Sequence, residues 1–275
     1  FSEEAIGKFL QDGPISQGIF GGESSTPEAI ANLALAVLDI KSGEKVMDFG
    51  CGTGNFLEAA AAKCPDAKPM GVELNPSTLA IAKLRSKVTG SKICYVCDDM
   101  FRYFDSNIEH NPVDKAFSNY PWGMQTKMFS KSSDYIEKVM KGQERYSRPS
   151  SSDWVFNRLL VDSLKKGGAA AAVMSNGACF NGTDTPVRDY FVKNGFIKAI
   201  VALPKGVFAP YTMIQTSFVV LTSGGSKGVR FVDATDLGTN DRRSCSIDET
   251  AFIAIVERHG ADSDKSVVKT LHVIA

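Results

Sequence analysis

Charge of either sign is not in excess: 31 Lys and Arg stand against 31 Asp and Glu among 275 residues, a formal net charge of zero. A protein that grips nucleic acid unaided usually carries a basic surplus, because neutralising phosphates supplies most of the affinity. If DNA is the substrate, much of the grip is expected from a partner or from segments outside this chain. No run of 18 apolar residues occurs, so no membrane-spanning helix is expected. The start, Phe1-Ser2-Glu3-Glu4, has neither a charged-then-apolar leader nor an initiator Met, and the chain reads as a cut or processed piece of a cytoplasmic protein. The six cysteines lack the spacing of a disulfide framework. Cys94 and Cys97 form one C-x-x-C in the apolar run from Ile93 to Val96, with no second pair; buried free thiols and no metal are expected.

What is present is 43% hydrophobic residues, enough to bury a substantial core in one large α/β domain. Strands are predicted at 45–49, 69–73, 92–97, 116–118, 169–174 and 197–203, and helices at 55–63, 77–87, 154–164 and 185–193. Strands separated by helices imply βαβ units: a doubly wound, mostly parallel sheet with helices on both faces. Before them, Thr26 at the N-cap, Pro27 at N1 and Glu28 in the first turn announce a helix to about Asp39. Its apolar positions Ile30, Leu33, Ala34 and Leu38 share one face. Residues 215–221 and 229–232 are extended with no room for a helix between them, so they are predicted to pair antiparallel and give the sheet an antiparallel C-terminal edge. The expected organisation is an N-terminal arm (1–24, with a helix at 3–11 and a glycine-rich stretch at 13–22), a core domain (25–240), and a C-terminal extension packed on it (241–275). The polar segment 124–153 reads as a solvated insertion or as a loop that orders over substrate.

Two segments carry chemistry. Asp48-Phe49-Gly50-Cys51-Gly52-Thr53-Gly54 lies at a strand-to-helix junction, the context that lifts a glycine string above chance. Gly50 and Gly52 permit a tight turn without Cβ atoms in a ligand's way, and Gly54 lets the next helix pack close. A pyrophosphate does not suit this turn, since no Gly-Lys-Ser/Thr follows and Asp48 repels it. A zwitterionic nucleoside cofactor, S-adenosylmethionine (SAM), fits better. Its ammonium can meet Asp48, and its carboxylate can meet backbone amides or Thr26. Glu73, at the end of the second strand, can accept both ribose hydroxyls. Asp98 or Asp99 can take the adenine amino group with an apolar neighbour on the ring. The expected cofactor site comprises Thr26, Asp48, Phe49, Gly50, Gly52, Gly54, Asn55, Glu73, Leu74, Asp98, Asp99, Met100 and Asn119. A nicotinamide dinucleotide is the other cofactor the residues admit, although the glycine spacing differs from G-x-G-x-x-G.

Asn119-Tyr120-Pro121-Trp122 follows the strand at 116–118 and is the expected catalytic turn. An Asn side-chain oxygen and the next carbonyl can both accept hydrogen bonds from one NH2 group. Those bonds draw electron density to the nitrogen lone pair and orient it, so alignment supplies most of the acceleration and no strong base is needed. Trp122 offers a stacking face for a base swung out of its duplex. Cytosine C5 chemistry would need a nucleophilic Cys, commonly after Pro, and none follows a Pro here.

These residues resemble the N6-adenine DNA methyltransferases, and more narrowly the modification subunits of type I restriction–modification systems. Four segments match in order: 25–30, 48–54, 119–122 and 176–224, the last with Val201-Ala202-Leu203-Pro204-Lys205-Gly206-Val207-Phe208. The resemblance covers roughly residues 20 to 235. It implies a Rossmann-like SAM-dependent methyltransferase fold that methylates the N6 amino group of adenine in DNA. By the same resemblance Thr26, Asp48, Gly50 and Glu73 bind SAM, and Asn119 and Trp122 hold the target adenine. It further implies a separate specificity subunit and a restriction subunit as partners, in keeping with the neutral charge. The family usually has Asn-Pro-Pro-Phe or Tyr where this chain has Tyr120 and Trp122. No recognition domain is read beyond residue 240, Arg242-Arg243 and Lys265 to Lys269 being too sparse. From the residues alone, a protein glutamine or an RNA base amine stays open as acceptor, as does a SAM-binding module inactive without its partner.

Overall fold

The computed structural model describes residues 26–124, 134–136, 152–209, 212–240, 245–256 and 265–270. The helix expected at 3–11, the glycine-rich stretch 13–22, most of segment 124–153 and Arg242-Arg243 lie outside the described residues. Helix α1 (Glu28–Leu38) leads into β1 (Lys45–Phe49), α2 (Asn55–Lys63), β2 (Lys68–Glu73), α3 (Pro76–Thr89) and β3 (Cys94–Cys97). A short α4 (Met100–Tyr103) runs on as a π-helical turn (Phe104–Ile108) before β4 (Val113–Ser118). Then come α5 (Asp153–Asp162), β5 (Leu164–Ser175), α6 (Asn176–Phe180), α7 (Thr185–Lys193), β6 (Ile197–Ala202), β7 (Thr216–Thr222) and β8 (Gly228–Asp233). The last elements are β9 (Gly238–Asn240), β10 (Cys245–Ile247), α8 (Glu249–Val256) and β11 (Ser266–Thr270).

Among the described residues nine strands form one sheet, ordered β11-β8-β6-β7-β5-β4-β1-β2-β3, and β9 pairs with β10 apart from it. From β3 to β5 every neighbour is parallel. Side chains alternate between two apolar faces: in β7, Val219 and Leu221 join one core cluster while Phe218 and Val220 join the other. Period-two burial on both sides is what a sheet between two helix layers requires. Residues of α1, α2, α3 and α8 fill one core, and those of α4 to α7 fill the other.

The predicted pairing of the two late strands with each other is wrong. β7 lies between β5 and β6, antiparallel to both, and β8 joins β6 in parallel. A link too short for a helix normally joins neighbours, which motivated the hairpin expectation. Here the link 223–227 crosses the start of β6, where the Ser226 N–H donates to the Gly195 carbonyl at 3.1 Å. The antiparallel edge does exist, but β11 makes it against β8.

Helix starts also shift. Pro27, not Thr26, stands at the cap of α1, without a side-chain bond, because the Thr26 carbonyl accepts the Asn55 Nδ2 at 2.8 Å. α3 begins at Pro76 because Asn75 caps it, its side chain accepting from the N–H groups of Ser77 and Thr78. The C-x-x-C thiols are exposed rather than buried, since β3 is the sheet's outer strand; Cys51 and Cys245 are the buried free thiols. No described helix is long and apolar enough to cross a membrane.

Candidate active site

β1 and β4 are parallel neighbours with Asp48 opposite Phe117. Gly50 and Asn119, each two residues further on, therefore leave the sheet at one edge, across a strand spacing of about 4.7–4.9 Å. The Ser118 hydroxyl donates to the Phe49 carbonyl and fastens the two strand ends. This edge is also where the strand order reverses, from β1 outward through β2 and β3 on one side and β4 on the other. Such a switch point opens a crevice beyond the carboxyl ends of the strands.

The glycine turn is built tightly against β2 and β3. The N–H groups of Gly50 and Cys51 both donate to the Val72 carbonyl, at 2.9 and 3.0 Å. Gly54, at φ +82°, caps α2, and a Cβ there would stand 2.3 Å from the Tyr95 hydroxyl. Among the described residues, a Cβ on Gly52 would meet nothing within 4 Å. Gly54→Ala is accordingly expected to destabilise by about 1–2 kcal/mol from its left-handed backbone alone, with the Tyr95 clash added. For a domain of this size that is a fall of roughly 2–8 °C in Tm, and calorimetry should show Gly52→Ala losing less.

Behind the turn, Arg85 is buried and donates through Nη1 to the Thr53 carbonyl at 2.9 Å and to Asn55 Oδ1. The Asn55 amide is thus engaged at both ends, with Arg85 and with the Thr26 carbonyl. Asn55 and Thr26 shape the turn from its back. The Phe49 ring is buried in the core, so only its backbone borders the crevice.

Two acids face each other across β1 and β2. Glu73 accepts the Gly52 N–H on Oε2 at 2.9 Å and the Asn75 N–H on Oε1 at 2.8 Å. Asp48 is 2% exposed, and its Oδ1 has no hydrogen-bond partner among the described residues. Burial, with the Glu73 carboxylate adding repulsion, pushes the Asp48 pKa well above the ordinary carboxylate range. Further round, Asp98 is paired with Arg102, while Asp99 caps α4 through Oδ1, accepting from Phe101 and Arg102 N–H at 2.9 and 3.2 Å. Leu74 is 65% exposed beside Glu73, and Met100 is half-buried on the other side of Gly50, its Cε 3.3 Å from where a Gly50 Cβ would be.

At the end of β4, the Asn119 Oδ1 is buried and has no hydrogen-bond partner among the described residues. Tyr120 points the other way: its ring stacks on Phe156 at 4.7 Å and 16°, and its hydroxyl donates to Asn157 Oδ1 at 3.0 Å. The side chain at this position therefore serves the core and leaves only its carbonyl for the site. Pro121 is exposed. Trp122 is half-buried, its Nε1 donating to the Val173 carbonyl at 3.2 Å and its ring edge-on to Phe208 at 4.7 Å and 84°.

Two residues that hold this site, Arg85 and Asp153, carry no local mark of doing so. Arg85 sits in α3, the helix after β2, and Asp153, the last residue of the polar segment 124–153, opens α5. Phe208 belongs to the distinctive run 201–208, which does have a signal in sequence, and its ring packs against Trp122 of the Asn-Tyr-Pro-Trp turn.

A doubly wound sheet with a glycine turn at one switch-point strand and an unsatisfied amide at the next defines a class, the nucleoside-cofactor enzymes of the α/β type. Within it, the profile of the N-6 DNA Methylase family matches residues 7–272, and the chain belongs to that family. It is 28% identical over 218 residues to the methylase subunit of the type I restriction enzyme EcoEI of Escherichia coli, covering 74% of this chain and 43% of that protein. It is 27% identical over 208 residues to the methylase subunit of the type I restriction enzyme MjaVIII of Methanocaldococcus jannaschii, covering 68% and 34%. The chain thus spans less than half the length of these curated relatives. The crystal structure of the type I restriction–modification methyltransferase subunit of Streptococcus thermophilus shares the fold, with a TM-score of 0.80 at 21% identity over 98% of this chain and 59% of that one.

Proposed function

We propose that the chain transfers a methyl group from SAM to the N6 amino group of adenine in DNA, as the catalytic part of a type I modification subunit. The observation that carries this reading is the buried Asn119 Oδ1 beside the Gly50–Gly54 turn, without a hydrogen-bond partner among the described residues. A buried acceptor left unsatisfied costs about 1–3 kcal/mol, and a substrate NH2 group removes that deficit. The residues present also fit the cofactor. Asp48 is a buried carboxylate with no partner on Oδ1 among the described residues, suited to the amino-acid ammonium; Glu73 presents a carboxylate at the second strand end to the ribose hydroxyls; Leu74 and Met100 can flank the adenine, and Asp99 can accept its amino group. Bound there, SAM supplies an electrophilic methyl group.

The chain's own residues then do the following. Asn119 Oδ1 and the Tyr120 carbonyl accept the two N6 hydrogens, which holds the nitrogen lone pair out of the ring and aims it at the crevice. Trp122, fixed by Val173 and Phe208, supports the face of the flipped base. No general base has to act before attack, and the proton leaves afterwards from a far more acidic nitrogen. The zero net charge supports a division of labour in which a specificity subunit reads the sequence and supplies phosphate contacts, with a restriction subunit in the same assembly. The cytoplasm, where chromosomal DNA and SAM meet, is the site of action that follows.

The test supplies full-length protein with methyl-labelled SAM and, separately, DNA, ribosomal RNA or protein, with and without the specificity subunit. Label in N6-methyladenine of DNA is the expected result. Label confined to RNA or protein overturns the substrate, and normal SAM affinity without transfer to anything reduces the chain to a scaffold.

A further inference from the structure

Asp153 is fully buried, and three donors converge on its carboxylate. Oδ1 accepts the Gly123 N–H at 3.1 Å; Oδ2 accepts the Ser175 N–H at 2.9 Å and the Ser175 hydroxyl at 2.7 Å. Gly123 follows the Asn-Tyr-Pro-Trp turn directly, and Ser175 is the last residue of β5, the strand beside β4. The carboxylate therefore joins the far end of the turn to the neighbouring strand end. A second tie lies one residue back, where Trp122 Nε1 donates to the Val173 carbonyl. At its near end the turn is fastened through the Ser118 hydroxyl to the Phe49 carbonyl. The segment from Ser118 to Gly123 is thus pinned at both ends, with Asn119 between the pins.

From this geometry we infer that Asp153 is a positioning residue for methyl transfer, setting where the Asn119 oxygen and the Tyr120 carbonyl stand relative to the Gly50–Gly54 crevice. It touches neither substrate nor cofactor in this arrangement; it acts through the turn. The inference rests on the amine-polarising reading of Asn119. An asparagine in its place keeps the volume and one acceptor oxygen but turns an NH2 toward either the Gly123 or the Ser175 N–H, so one tie is lost and the turn can drift. Misplacement by about 1 Å can lower a rate on the order of a hundredfold.

In the full-length protein, with its specificity subunit and unmethylated genomic DNA, Asp153→Asn is expected to lower kcat by roughly 30- to 100-fold. SAM Kd and DNA KM should stay within about twofold. Ser175→Ala, which removes only the hydroxyl tie, should lower kcat several-fold with the same selectivity. A merely structural role would instead reduce the folded fraction and leave turnover per active site unchanged, so rates are normalised to sites titrated with SAM. Folded Asp153→Asn with kcat within threefold of the parent overturns the inference. If that variant does not fold, an unchanged kcat per site in Ser175→Ala overturns it equally. Asn119→Ala run in parallel separates the two layers: full turnover there removes the amine-polarising reading itself, whereas a dead Asn119→Ala beside a normal Asp153→Asn removes only the role given to Asp153.

Discussion

Asn119→Ala is expected to lower single-turnover methyl transfer by about 10²–10³-fold, the range seen when one preorganised polar contact to a reacting group is deleted. SAM Kd should stay within about twofold, since Glu73 and Asp48 lie on other strands and keep their surroundings. The split follows from where the amide stands: it borders the crevice, while the cofactor's ammonium and ribose hydroxyls are assigned to Asp48 and Glu73. The stability of the ligand-free protein should move the opposite way from activity, or not at all. The Asn119 Oδ1 is a buried acceptor with no partner among the described residues, so its removal takes away a desolvation penalty of about 1–3 kcal/mol, set against the small void the alanine leaves. A thermal melt and a rapid-quench experiment on the same preparation test both halves. Normal transfer by this variant would mean that the amine is polarised by something else.

Asp48→Asn is the second large effect, and it couples affinity, stability and pH. Burial, reinforced by Glu73, raises the native Asp48 pKa above its unfolded value of about 3.9. The native state then binds more protons than the unfolded state between those two values, so the stability of the ligand-free protein falls as pH rises through that window. The amide substitution abolishes this slope and should give the more stable protein on its alkaline side, with each kcal/mol seen as roughly 2–4 °C in Tm. Binding of the ammonium favours the ionised carboxylate. SAM affinity of the parent should therefore rise as pH climbs toward the raised native pKa of Asp48, with proton release on binding below it measurable by calorimetry in two buffers. In the variant, affinity should drop roughly ten- to hundredfold, about 1.4–2.8 kcal/mol, and lose this part of its pH dependence. Undiminished SAM affinity in Asp48→Asn, with the pH dependence intact, would place the ammonium elsewhere.

The cofactor half was the more legible part in the sequence because its parts are local. A strand, a glycine turn and a helix are consecutive, and Glu73 marks the end of the next strand, so chain order alone puts Asp48, Gly50, Gly52, Gly54 and Glu73 at one edge of a parallel sheet. Asn119 was legible for the same reason, as the residue just past a strand end. What each residue touches was less so. Tyr120 and Phe49 turn into the core, Asn55 and Thr26 bond to each other behind the turn, and Cys94 and Cys97 lie on the outer strand.

The sequence by itself determined the alternation of strands and helices, the apolar period of each, and the chemistry available at the strand ends, because these depend on neighbours within a few residues. Only the tertiary structure decided that β7 slots between β5 and β6, that β8 runs parallel to β6, and that Asp153 reaches from α5 to the Asn-Tyr-Pro-Trp turn. The reason is physical. A strand apolar on both faces, as β7 is, satisfies its side chains equally well in several places between two helix layers. Its position is then fixed by backbone hydrogen bonds and by closure with distant partners, and neither leaves a periodic trace along the chain.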